Sequence, residues 1–176
     1  MSEDQSTPGE ASGLVSNTYF LQPGYIFVAV TPTQISTVLG SCVGVSLYDR
    51  EHQFGGMNHF QLPIHADKSD STARYGNVAT VALIKMMLNE GSSLKRLEAQ
   101  LLGGAHNPEI SPRNIGRENV EVARKILAKA GIKLVSEDVG GEKGRKIVFN
   151  TSNNELAVIK VDKLRKSDWF PYEGDR

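Results

Sequence analysis

Hydrophobic and polar positions alternate along this chain with two different periods. Residues 43–48 place Val43, Val45 and Leu47 on one face, which predicts a half-buried strand. Residues 77–90 and 115–130 carry apolar side chains at spacings of three and four, and each segment ends at a glycine, which predicts two amphipathic helices. Alternating or β-branched segments predict further strands, with a short strand or bend in the second of them: 25–30, 55–63, 97–102, 133–139, 145–150 and 156–161.

The order of these elements indicates the fold class. Strands before, between and after two helices favour a single-domain α/β fold in layers, with the helices covering one face of a mixed or antiparallel sheet. A chain of 176 residues suits one domain, which we place at residues 18–162. The polar segment 1–17 is predicted to be a flexible leader. The tail 163–176 carries aromatic side chains that either await a partner or, as we favour, pack back on the domain.

Charge and composition exclude several classes of function. Lys and Arg number 20 and Asp and Glu also number 20, so no net field draws the protein to nucleic acid or to an anionic membrane. No apolar run approaches the ~18 residues of a membrane span, and the N-terminus lacks the pattern of a signal peptide. The four histidines lack the spacing of a metal site. We therefore expect a cytoplasmic protein that inserts into no membrane and holds no metal.

A single cysteine, Cys42, stands at the start of a predicted strand. A thiol attacks as the thiolate and free cysteine titrates near ~8.5, so a reactive cysteine needs a neighbour that accepts its proton. His59 lies on the next predicted strand, and neighbouring strands run about 4.8 Å apart, so the two side chains can meet. Gly40 and Ser41 leave room for a substrate carbonyl and for backbone N–H groups that face an oxyanion.

Two questions about this site stay open from the residues alone. Ser36 and Thr37 both carry a hydroxyl that could orient the imidazole. In addition, a lone cysteine is more often a small buried hydrophobe than a nucleophile. A core cysteine predicts slow alkylation that is insensitive to pH, whereas an activated thiol predicts alkylation faster than that of free cysteine near neutral pH.

An ordered set of short motifs resembles one protein family. In order and spacing the motifs resemble the chemoreceptor glutamine deamidases, CheD, and the resemblance extends over residues 24–161. The motifs are Leu39-Gly40-Ser41-Cys42-Val43, Gly55-Gly56-Met57-Asn58-His59-Phe60-Gln61-Leu62-Pro63, Tyr75-Gly76, Gly103-Gly104-Ala105, Ile115-Gly116-Arg117-Glu118-Asn119-Val120 and Gly140-Gly141.

The resemblance implies a fold, a reaction and a set of site residues. The fold is a three-layer α/β/β arrangement, similar to the catalytic domain of a bacterial toxin deamidase. The reaction is hydrolysis of receptor glutamine side chains to glutamate, in which Cys42 attacks the amide carbon, His59 serves as acid and base, and Thr37 is the third residue. No cofactor is required. Contacts to the oxyanion and the substrate are expected from residues beside this set: Gly40, Ser41, Val43 and Asn58.

The resemblance also implies partners, and it leaves two alternatives. The substrate is the cytoplasmic domain of a chemoreceptor, and a CheC-type phosphatase is a partner that links the protein indirectly to CheY. In the first alternative the domain is mainly a binding module for that phosphatase, and Cys42 is nearly silent. In the second it is another thiol hydrolase, such as a peptidase or a receptor methylesterase, because acyl-thioester chemistry serves amides and esters alike.

Overall fold

Nine strands in two sheets and two long helices form the part of the chain that the computed structural model describes, which is residues 17–65, 67, 69 and 72–169. The helices are α1 (Gly76–Asn89), α2 (Ile115–Ala130) and the short α3 (Lys166–Trp169), and a 3-10 turn spans Leu94–Arg96. The strands are β1 (Asn17–Phe20), β2 (Ile26–Ala29), β3 (Thr33–Leu39), β4 (Val43–Asp49), β5 (Phe54–Asn58), β6 (Leu97–Gly103), β7 (Lys133–Val139), β8 (Gly144–Asn150) and β9 (Leu156–Val161).

The strands form two mixed sheets. The central sheet has the order β2-β5-β4-β6-β7, and the outer sheet has the order β1-β3-β8-β9. Within the central sheet β4 runs antiparallel to β5 and β6, while β6 and β7 are parallel. In the outer sheet β8 and β9 form an antiparallel hairpin, and β3 pairs antiparallel with β8. The two long helices and strands β4 and β6 to β9 confirm elements that the sequence predicted.

Two hydrophobic cores separate three layers. The first core joins α1 and α2 to one face of the central sheet and includes Val43, Val45 and Leu47. The second, called here the inter-sheet core, fills the space between the central and outer sheets. It is formed by Leu21, Ile35, Leu39, Cys42, Tyr48, Met57, Leu102, Ile147 and Phe149. The order helices, central sheet, outer sheet confirms the α/β/β fold class.

The burial of β4 differs from its prediction. Alternation predicted a half-buried strand, but all seven residues of β4 are buried. The reason is that the central sheet is covered on both faces, by the helices on one side and the outer sheet on the other. Gly44 illustrates the close fit, because a Cβ there would lie 2.6 Å from the terminal methyl of Met57 and 3.3 Å from the Asn58 carbonyl oxygen.

Helix α2 has well-formed ends. At its start the Asn114 side chain accepts a hydrogen bond of 2.9 Å from the Arg117 N–H, and Glu118 lies in the first turn, where the helix dipole favours negative charge. At its end Gly131 adopts the left-handed conformation, with φ of 70°. Gly131 is the terminal glycine on which the prediction of this helix relied, and the observed bounds agree with the predicted ones.

The structure describes little of the predicted leader but about half of the predicted tail. The predicted leader 1–17 lies outside the described residues except for Asn17, which begins β1. The tail is described as far as Trp169, and this part packs on the domain. Its Asp168 carboxylate lies 2.7 Å from the Lys146 ammonium. No helix within the described ranges is long and apolar enough to cross a membrane.

Candidate active site

Cys42 lies where the chain passes from the outer sheet to the central sheet. Strand β3 ends at Leu39, β4 begins at Val43, and Gly40, Ser41 and Cys42 form the connection, called here the nucleophile loop. The Cys42 side chain belongs to the inter-sheet core and is only 8% exposed. The candidate nucleophile is therefore placed at one end of the space between two sheets.

His59 is brought to the same end of that space by the pairing of the chain after β5 with β4. Val43 and Phe60 exchange two backbone hydrogen bonds of 3.1 and 3.0 Å. Both of their side chains lie in the first hydrophobic core, between the helices and the central sheet. Cys42 and His59 each precede one member of this pair, so both side chains point to the opposite, inter-sheet face. Such diagonal neighbours lie about 7 to 8 Å apart at Cα, within reach of an imidazole ring.

Thr37 of β3 contacts the imidazole from the outer sheet. Its Oγ1 lies 2.9 Å from His59 Nδ1 and donates a hydrogen bond of 2.7 Å to the carbonyl oxygen of Leu21. A hydroxyl has one proton, so an Oγ1 that donates to Leu21 accepts from His59 Nδ1–H. His59 Nε2 is then the unprotonated nitrogen, and this buried atom has no hydrogen-bond partner among the described residues. The ring is thereby fixed in the tautomer that can accept a proton.

The second hydroxyl candidate, Ser36, faces away from this arrangement. Ser36 and Thr37 are consecutive residues of β3, so their side chains point to opposite faces of the outer sheet. Ile35 and Leu39 share the parity of Thr37 and belong to the inter-sheet core. The geometry thus separates two candidates that the residues alone left open, and it is Thr37 that contacts the imidazole.

Burial determines the charge of the two central groups. Desolvation raises the pKa of the Cys42 thiol to about 11, although the residue's own backbone N–H lowers it in part. Desolvation lowers the pKa of His59 to about 4, against a smaller raising effect of the Leu21 carbonyl. At neutral pH the resting site is therefore a neutral thiol beside a neutral imidazole. This state differs from the pre-formed thiolate that an activated cysteine would have.

The nucleophile loop is held by the segment that follows β6. Gly104 N–H donates to the Cys42 carbonyl at 2.8 Å, and Ala105 N–H donates to the Gly40 carbonyl at 2.9 Å. Gly103, with φ of 99°, approaches so closely that a Cβ there would lie 2.4 Å from the Cys42 oxygen. Gly103 and Gly104 thus make a close backbone contact with the loop that carries Cys42.

Two of the residues expected to contact the oxyanion or the substrate are already engaged. The N–H of Val43 donates to Phe60, so in this structure it has no free proton for an oxyanion. The Oδ1 of Asn58 accepts a hydrogen bond of 2.9 Å from Val45 N–H, which ties β5 to β4. Contact of Asn58 with a substrate stays a prediction.

The described part of the tail covers this site. The rings of Trp169 and His59 have centroids 6.1 Å apart and are tilted by 40°. Trp169 also packs against the inter-sheet core, to which Cys42 belongs. A Cβ placed on Gly40 would lie 3.9 Å from both Leu164 and Trp169, so the tail passes directly over the nucleophile loop.

Comparison with known proteins shows which family the chain belongs to. The sequence profile described as CheD chemotactic sensory transduction matches residues 61–160. A protein of Anaeromyxobacter dehalogenans named as a probable chemoreceptor glutamine deamidase CheD 1 is 43% identical over 144 residues, which cover 81% of this chain and 84% of that protein. The chain belongs to the CheD family. A Thermotoga maritima protein named chemoreceptor glutamine deamidase CheD is 38% identical over 139 residues, which cover 78% of this chain and 88% of that protein.

The CheD profile and the candidate site occupy different stretches of the chain. The matched residues 61–160 include β6 and α2, which hold the nucleophile loop, but begin after Thr37, Cys42 and His59. The roles of those three residues therefore rest on their geometry and on the motif resemblance. The motif at residues 115–120 lies on α2, and the resemblance assigned no role to any residue in it.

A cavity of about 380 Å³ lies beside the nucleophile loop. Ser41 forms part of its wall on one side, and Ile110, 82% exposed, stands on the segment before α2. Polar side chains reach it from the same segment and the tail: His106, Asn107, Arg113 and Lys163. Among the described residues no group of three or more His, Cys, Asp or Glu side chains could hold a metal ion.

Proposed function

We propose that this protein hydrolyses glutamine side chains of chemoreceptors to glutamate, with Cys42 as nucleophile and His59 as acid and base. The observation that carries the proposal is the hydrogen bond between Thr37 and His59, which leaves Nε2 unprotonated on the face that it shares with Cys42. The names of the CheD relatives supply the substrate class, a chemoreceptor glutamine. Thr37 acts on the imidazole and is a positioning residue.

The proposed reaction has two halves. In the first, His59 Nε2 takes the Cys42 proton, the sulfur attacks the amide carbon, and the tetrahedral intermediate collapses as Nε2–H protonates the departing ammonia. In the second, Nε2 takes a proton from water, the hydroxide attacks the thioester carbon, and the thiol leaves with that proton. One water is consumed, and one ammonia and one glutamate side chain are produced. These residues supply both the nucleophile and the acid–base group.

The resting charges place proton transfer at the moment of substrate attack. With the pKa of Cys42 at about 11 and that of His59 at about 4, a thiolate–imidazolium pair is scarcely populated at pH 7. The thiolate is then formed as the sulfur approaches the amide carbon, in a largely buried site. A backbone N–H at Cys42 is suited to receive the negative charge that passes to the amide oxygen.

The family supplies the remaining proposals on partners and location. A CheC-type phosphatase is the proposed protein partner, with an indirect link to CheY, and the cytoplasm, where the proposed receptor domain lies, is the proposed location. If the domain were mainly a module that binds this phosphatase, loss of Cys42 would leave partner binding intact. A methylesterase would release methanol in place of ammonia, so the product separates that alternative.

The test is mass spectrometry of a chemoreceptor cytoplasmic fragment incubated with the wild type or with Cys42→Ala. Conversion of Gln to Glu adds ~1 Da at the modified residue, and ammonia is measured in the same samples. We expect a gain that requires Cys42. Methanol release in place of ammonia would assign the protein to the esterases. Absence of both products with several receptor fragments and folded protein would favour the binding module.

A further inference from the structure

Helix α2 presents one fully buried amide to the nucleophile loop. The Asn119 side chain is 0% exposed, and its Nδ2 donates two hydrogen bonds of 3.0 Å, one to the carbonyl oxygen of Ser41 and one to that of Gln61. Ser41 immediately precedes Cys42, and Gln61 lies two residues after His59. One side chain on a distant helix therefore holds both segments that carry the candidate catalytic pair.

We propose that Asn119 is a positioning residue that sets the direction of the Cys42 N–H, the group that would bind the oxyanion. This inference deepens the proposed function and rests on it for the identity of the nucleophile. The Ser41 carbonyl and the Cys42 N–H belong to one planar peptide unit, and no cis peptide occurs among the described residues. In a trans peptide the C=O and N–H point in opposite directions, so an amide that fixes the first also fixes the second.

The other two carbonyls of the loop are held in a different way. Gly40 and Cys42 accept from the backbone N–H groups of Ala105 and Gly104, which no side-chain substitution removes. The middle peptide unit, between Ser41 and Cys42, depends on Asn119. The Cys42 N–H donates to no carbonyl or other side chain of the described residues and lies beside its own sulfur. It is therefore free to receive a substrate oxygen next to the attacking atom.

Close packing of α2 makes this contact possible. A Cβ on Gly116 would lie 2.3 Å from the Gly104 carbonyl oxygen, so only glycine allows the first turn of α2 to approach the loop after β6 so closely. Gly116 and Asn119 are three residues apart and lie on the same helix face. Gly116 thus permits the close approach of α2, and Asn119 makes its hydrogen bonds to the loop because of that approach.

The test compares two reactions of Cys42 that differ in whether an oxyanion forms. Acylation by p-nitrophenyl acetate passes through a tetrahedral oxyanion, whereas alkylation by iodoacetamide does not. The chain has one cysteine, so each rate, after subtraction of the rate of Cys42→Ala, reports Cys42. In Asn119→Leu and Asn119→Asp, which remove the amide donor, we expect the ratio of acylation rate to alkylation rate to fall by about tenfold or more. We expect alkylation alone to stay within about twofold of the wild type, since no oxyanion donor takes part in it.

Ala123→Gly is the matched control. Ala123 is buried on the same helix, one turn further along, and makes no side-chain hydrogen bond to the loop, so its substitution loosens α2 but leaves the amide in place. We expect its rate ratio to equal that of the wild type. An unchanged ratio in both Asn119 variants, or an equal fall in Ala123→Gly, would overturn the inference. The ratio is measured without a receptor, so it tests Asn119 separately from the proposed substrate. If the ratio falls in the Asn119 variants but the wild type deamidates no receptor fragment, the inference about Asn119 stands and the proposed substrate is wrong.

Discussion

The cover over Cys42 leads to a quantitative prediction about its reactivity, tested with Trp169→Ala. Trp169 packs on the inter-sheet core that contains Cys42 and lies 6.1 Å from the His59 ring. Removing the indole admits water to a thiol that is now 8% exposed. Desolvation is the main cause of the raised pKa of Cys42, so hydration should lower that pKa and speed the reaction of the thiol.

The magnitude follows from the pKa of about 11. At pH 8 about one Cys42 in a thousand is then thiolate, compared with about one in four for a free cysteine of pKa ~8.5. A more basic thiolate is intrinsically more nucleophilic, which recovers about tenfold of that difference in exchange with a disulfide. Wild-type Cys42 should therefore react roughly twentyfold more slowly than free cysteine from protonation alone, and Trp169→Ala should recover most of this factor.

The assay is exchange with a coloured aromatic disulfide, followed across pH. The same chain unfolded in urea supplies the free-cysteine rate, and Trp169→Phe, which keeps an aromatic ring at the position, is the matched control. We expect the wild-type rate to continue rising above pH 9, where the unfolded chain levels off. A folded wild type that reacts as fast as the unfolded chain, or a Trp169→Ala rate equal to that of the wild type, would refute this account of the cover.

Three further outcomes follow from the site. Thr37→Val should lower kcat for ammonia release by about 10²-fold because His59 loses the partner that fixes its tautomer, whereas Thr37→Ser should stay near wild type and Ser36→Ala should have no effect. The free energy of unfolding in urea should be lower for Gly103→Ala than for Gly131→Ala by about 1 to 3 kcal/mol. Both glycines have positive φ, but only at Gly103 would a Cβ contact backbone atoms, so Gly131→Ala measures the cost of the backbone conformation alone. Burial lowers the pKa of His59 from 6.5 to about 4, so the unfolded chain takes up a proton first and stability falls progressively as pH drops from 6.5 towards 4; between pH 7.5 and 4.5 the wild type should lose about 2 to 3 kcal/mol more than His59→Gln in urea unfolding.

The sequence predicted the elements that have a clear period and missed those that do not. Helix α2 carried an apolar stripe, a capping Asn and a terminal Gly, and its predicted and observed bounds agree. Strand β3 was missed because its inward positions include the polar Thr37, so the apolar alternation is broken. That interruption is where the candidate site needs a hydroxyl. The polar Thr37, at an inward position, is thus the reason that β3 was not recognised from the sequence.

The candidate site could be predicted in its residue types but not in its charge state. Cys42 and His59 were recognisable from their positions near the starts and ends of neighbouring strands. Their burial between two sheets was not, because the pairing of β3 with β8 spans more than a hundred residues of chain and has no local pattern. Without that second sheet the choice between an activated thiol and a core cysteine stayed open. With it, both groups are desolvated and neutral.

Polar atoms left without partners mark the cost of this arrangement. Within the described part of the chain, His59 Nε2, Asn58 Nδ2 and Asn119 Oδ1 are buried without a hydrogen-bond partner. Each such atom costs about 1 to 3 kcal/mol, a penalty that packing alone does not require a protein to accept. Asn119 and His59 nevertheless each make a second contact that fixes their orientation, through Ser41 and Thr37 respectively. For His59 Nε2 the missing partner is the proton that the proposed reaction transfers from Cys42, whereas a purely structural core would gain stability from an apolar side chain at this position.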